Sequence, residues 1–133
     1  MAVRWLLGSR WLLVIYWLIF LIAKLWPAFS GGWFVWTPMR MSMIGAEAIF
    51  VALALTPRFT QLAAIGSLVF LSAALVYHLN AAAQIPWAGC GCLGRIQASH
   101  VEMIPLTVVG LVLAATALWA SRDAQRAQRG PVA

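Results

Sequence analysis

The chain is predicted to be an all-α polytopic membrane protein, an antiparallel four-transmembrane-helix bundle forming a single domain over residues 1–133. Three observations predict this. Four long apolar runs are separated by short polar breaks. The composition is 64% hydrophobic and only 9% charged, against about 25% charged residues in ordinary soluble domains. The arginines gather at the ends of the runs instead of inside them. The mean hydropathy of +0.91 belongs to a chain whose surroundings are largely lipid. Hydrocarbon offers free backbone N–H and C=O groups no partner, so each run is expected to be a helix.

The first helix is expected over residues 11–26, ending at Pro27, which has no N–H to continue the ladder. The second, over 41–55, stops before Pro57 and is short for a membrane span, so a start nearer Pro38 stays open. The third covers 59–80 and the fourth 101–120. The polar tail 121–133 is expected to extend the last helix beside anionic lipid headgroups. Ala63 and Ser67 on the third helix, and Gly110 and Ala114 on the fourth, have the small-xxx-small spacing that lets helix backbones approach closely. A signal peptide competes for the first run, since Arg4 and Arg10 precede it and Ala28-Phe29-Ser30 loosely resembles a cleavage site. An uncleaved anchor is the expectation.

Charge placement sets the expected orientation. With both termini cytoplasmic, the inner side holds Arg4, Arg10, Arg58, Arg122, Arg126 and Arg129, and the outer side only Arg40 and Arg95, as the positive-inside tendency requires. Trp26, Trp33, Trp36 and Trp87 then mark the outer interface, and Trp5, Trp11 and Trp119 the inner one. The expected location is a bacterial inner membrane. The net charge of +6 is spread along span ends and forms no patch, which argues against nucleic acid as a partner.

The only two cysteines, Cys90 and Cys92, sit in the motif Cys90-Gly91-Cys92-Leu93-Gly94, in the outer break between the third and fourth runs. Gly91 permits the tight bend that a disulfide across one residue needs. Strained, accessible disulfides are readily reduced and tend to be reactive. On the expected topology the other polar side chains of the spans cluster at this level: Lys24, Glu47, His78, Asn80, His100 and Glu102. A charge in hydrocarbon costs a few kcal/mol and calls for a partner or a function. Each also has a plainer reading. Lys24 can snorkel to the headgroups, and Glu47 can form a structural ion pair with it. His78 can be a packing residue, Asn80 a helix C-cap, and His100 with Glu102 a helix start after Ser99.

The motif Cys90-Gly91-Cys92-Leu93-Gly94-Arg95 before the last run, Ala23-Lys24-Leu25-Trp26-Pro27 closing the first and Glu47 in the second together resemble the MauE/DoxX group of redox-associated membrane proteins. Leu93 departs from that group's common Cys-Gly-Cys-Phe-Gly. The resemblance spans about residues 11–120. It implies a four-helix bundle acting in extracytoplasmic thiol–disulfide exchange, with Cys90 and Cys92 as the redox pair and Lys24 and Glu47 at matching family positions.

The expected function is exchange of electrons between the Cys pair and an extracytoplasmic thioredoxin-like or cysteine-containing protein. His78 or His100 would take the thiol proton, Lys24 would stabilise a thiolate, and quinone is the candidate electron acceptor. A second reading makes Cys90, Cys92 and His100, with Glu102, a metal site. A third makes the chain a small structural subunit of a larger membrane complex, its thiols incidental.

Overall fold

The computed structural model describes residues 2–29, 37–87 and 98–129. It contains four helices: α1 (Ala2–Phe29), α2 (Pro38–Leu55), α3 (Thr60–Gln84) and α4 (His100–Arg129), with a single 3-10 turn, Pro57–Phe59, joining α2 to α3. The described residues contain no β-strand. All four helices are long and apolar enough to cross a membrane.

Cross-helix contacts fix an up-down-up-down bundle. Trp17 stacks on Phe50 while Val14 packs with Ala54, so α1 and α2 run antiparallel. Phe50 meets Phe70 and Ala54 meets Ala63, which reverses α3 against α2. His78 touches His100 at one end of the α3–α4 interface, and Gln61 bonds Gln125 at the other. The Tyr16 hydroxyl donates to the Leu106 carbonyl, 3.1 Å away, and closes α4 back onto α1. The α3–α4 interface is the most extensive of the four.

The packing inverts that of a water-soluble bundle. Small residues fill the centre: Ala54, Ala63, Ala64, Ser67, Ala114 and Ala117 are fully buried. Large apolar side chains such as Ile19, Ile49, Val69 and Val112 face outward along the whole length. An apolar coat of that extent makes sense against lipid and would aggregate in water. Among larger buried groups, Trp17 donates its indole N–H to Ser67 Oγ at 2.9 Å, and Tyr16, Phe20, Phe50 and Phe70 pack around it. That bond satisfies the one polar atom of the bundle's largest buried side chain.

The helices outrun the segments expected from hydropathy. α1 does not stop at Pro27 but continues to Phe29. A proline removes only its own bond to the carbonyl four residues back, and the N–H groups after it can still continue the last turn. α2 starts at Pro38, with Thr37 as N-cap accepting from the Arg40 N–H; proline suits a first helical position because that N–H has no helical partner. α3 runs past Asn80 to Gln84. α4 continues through the polar tail to Arg129, because residues 121–129 favour helix without being apolar. Apolarity marks the part of a helix that lipid can hold, not the whole helix.

Candidate functional site

The polar residues gather at the bundle end where α3 finishes and α4 begins. There α1 contributes Lys24, α2 Glu47, α3 His78 and α4 His100, and all four are at least 96% buried. They form two pairs.

Lys24 Nζ donates to Glu47 Oε1 in a buried salt bridge between α1 and α2. Lys24 therefore does not snorkel outward: its side chain turns inward past Phe20, whose ring lies 5.9 Å from the ammonium. Glu47 Oε2 is buried with no hydrogen-bond partner among the described residues. The carboxylate keeps one acceptor site free for a water or a proton.

The second pair links α3 to α4. His78 Nδ1 and His100 Nδ1 lie 3.1 Å apart, so one ring donates and the other accepts. Tyr77 presents its ring edge-on to both, with centroids 5.3 and 5.6 Å away. The contact places two imidazoles, one on α3 and one at the first residue of α4, against each other. Among the described residues no hydrogen bond or ion pair joins the Lys24–Glu47 pair to the histidine pair.

Glu102 has a structural role. Its carboxylate accepts from the backbone N–H and hydroxyl of Ser99, at 2.7 and 2.9 Å, while Ser99 Oγ accepts from the Glu102 N–H at 3.3 Å. This reciprocal capping box starts α4. Asn80 is not a C-cap: it is exposed in the body of α3, whose cap is Ile85.

Cys90 and Cys92 lie outside the described residues, as does Arg95. The described residues contain no cluster of three or more metal-ligating side chains. His100 is engaged by His78 and Glu102 by Ser99.

Beside His78 a cleft of about 480 Å³ opens between α2 and α3. Arg40, Ser42, Tyr77 and His78 line it on the polar side, and Phe70 and Ala74 on the apolar side. Tyr77 and Arg40 are the contributors the sequence reading passed over. The adjacency of Tyr77 to His78 was a usable signal. Arg40 enters the sequence expectations through topology alone.

Fold and site together define a class: a four-helix membrane bundle carrying two buried polar pairs at one mouth. Comparison with protein-family models, curated proteins and solved structures gave no match.

Proposed function

We propose that this protein is a membrane-embedded thiol–disulfide exchange protein, whose Cys90–Cys92 pair trades electrons with a thioredoxin-like or substrate protein outside the cytoplasm. The observation that carries the reading is the buried His78–His100 contact at 3.1 Å. It provides a proton acceptor and donor from the first residue of α4 and the last two turns of α3, the helices that flank the Cys-bearing segment. Cys90 follows Trp87 by three residues and Cys92 precedes Ala98 by six. At 3.8 Å per residue, the Cα atoms of Cys90 and Cys92 can be at most roughly 11 and 23 Å from the Cα atoms of Trp87 and Ala98 respectively.

In the forward step a thiolate of the partner attacks the Cys90–Cys92 disulfide. One partner–protein S–S bond forms, and the other cysteine leaves as a thiolate. The partner's second thiolate then breaks the mixed disulfide, so the partner ends oxidised and Cys90 and Cys92 end as thiols. Two electrons and two protons have moved. The histidine pair takes the proton from each attacking thiol and returns it to the leaving sulfur. Resetting the pair needs a two-electron acceptor, and a lipid-soluble quinone fits: it takes both electrons and both protons and leaves as quinol. The cleft beside His78 suits such a head group, with Arg40 and Ser42 as donors and Phe70 as an apolar wall.

The uneven distribution of arginines supports an extracytoplasmic Cys loop in an inner membrane, where dithiols can be oxidised. The Lys24–Glu47 bridge holds α1 to α2 at this mouth. The test is acid-quenched alkylation of intact cells, which reports the state of Cys90 and Cys92 directly. The expected result is a mainly oxidised pair that turns to dithiol when the quinone pool is depleted. A pair that stays reduced in aerated cells would contradict the proposal.

A further inference from the structure

At the opposite end of the bundle, α4 continues past its apolar span as a charged helix. Arg122 and Arg126, one turn apart on the same face, line a pocket of about 300 Å³ with Gln61 and Gln125. Gln125 Nε2 donates to Gln61 Oε1 at 3.1 Å, clasping α4 to the first turn of α3 and forming the pocket floor. Neither arginine has a carboxylate within ion-pair distance among the described residues. Of the chain's three acidic residues, Glu47 and Glu102 lie at the other mouth, leaving only Asp123 here. The two guanidinium groups thus offer a two-pronged set of donors with no carboxylate paired to them among the described residues.

The depth of the pocket identifies what it would hold. Trp119, 66% exposed, sits one turn before Arg122, and exposed tryptophans mark the boundary between acyl chains and headgroups. One turn is about 5 Å. The pocket therefore lies at headgroup level. Guanidinium forks match phosphate oxygens bidentately.

We infer that Arg122, Arg126 and the Gln61–Gln125 clasp form a seat for the phosphate headgroup of an anionic phospholipid. The seat is independent of the thiol chemistry at the other mouth. Its role is to fix the depth and rotation of α3 and α4 in one leaflet.

The test is native mass spectrometry of the full-length protein in detergent, titrated with phosphatidylglycerol, phosphatidylcholine or inorganic phosphate. Two double variants each remove two positive charges from this end: Arg122→Gln with Arg126→Gln, and Arg10→Gln with Arg58→Gln. Each basic residue near an anionic surface contributes about fivefold, so the first variant, which removes two, should bind phosphatidylglycerol roughly 30-fold more weakly. The second should lose less than about threefold, because its arginines lie outside the pocket. Gln61→Ala, which keeps every charge and opens the clasp, should also weaken binding severalfold. Equal losses in the two double variants would overturn the seat in favour of diffuse attraction. Binding of phosphatidylcholine as tight as phosphatidylglycerol would overturn it too, and displacement of the lipid by millimolar inorganic phosphate would overturn its assignment to a lipid.

Discussion

Lys24 and Glu47 show how this chain manages charge in a low-dielectric interior. Removing one member of a buried pair leaves the other uncompensated, at a cost of about 3–5 kcal/mol, whereas replacing both with apolar residues of similar size is often tolerated. Glu47→Ala should therefore lower the thermal midpoint in detergent sharply, and Lys24→Met with Glu47→Leu should recover most of the loss. The histidine pair makes a different claim. His78→Gln keeps bulk and hydrogen bonding but loses the titratable proton, so thiol exchange in a stopped-flow assay should slow by about 100-fold with the melting temperature little changed. Ser99→Ala removes the N-cap of α4, and hydrogen exchange at the first-turn amides of α4 should quicken roughly fivefold. Two of these features could be read from the sequence. Ser99-Xaa-Xaa-Glu102 is a capping box in plain letters, and Lys24 and Glu47 fall at matching depth on neighbouring helices. The meeting of His78 with His100 could not be read, because depth along a helix does not specify rotation about its axis.

Each element gains its place from close approach. A Cβ on Gly110 would lie 2.5 Å from the Tyr16 ring, and Tyr16 in turn bonds the Leu106 carbonyl. Gly110→Ala must displace a buried ring and that bond, so it should destabilise the bundle by about 1–3 kcal/mol, measurable by unfolding in mixed detergent. Adding Tyr16→Phe should not restore it, since the clash involves ring carbon as well as the hydroxyl. The small-residue spacing on α3 and α4 predicted close helix approach, and Ala63, Ser67 and Ala114 are fully buried, Ala63 beside Ala54 of α2 and Ser67 bonded to Trp17 of α1. It did not reveal that the partner of Gly110 is an aromatic ring from α1. Helix ends were the least legible feature: Pro27 suggested a stop two residues early, and α3 runs past Asn80 to Gln84, whereas the expected helical extension of the last span into the polar tail is present to Arg129.

At the scale of the whole molecule, composition was decisive. Small residues inside and large apolar ones outside mark a bundle that packs in lipid by close backbone approach rather than by hydrophobic collapse. The four helices were legible because each must be apolar over most of its length. The candidate site was named residue by residue from the sequence, without its arrangement. Four of its six expected residues form two buried pairs at one mouth, and Cys90 and Cys92 fall outside the described residues. The central claim is that this mouth serves exchange at the Cys pair. Its most direct test is trapping in cells with Cys92→Ser, which leaves Cys90 without its resolving partner. The account expects a mixed disulfide between Cys90 and an extracytoplasmic cysteine-containing protein, cleaved by reductant and lost in the Cys90→Ser, Cys92→Ser double variant. A Cys90 that remains a free thiol, with no protein captured, would contradict it.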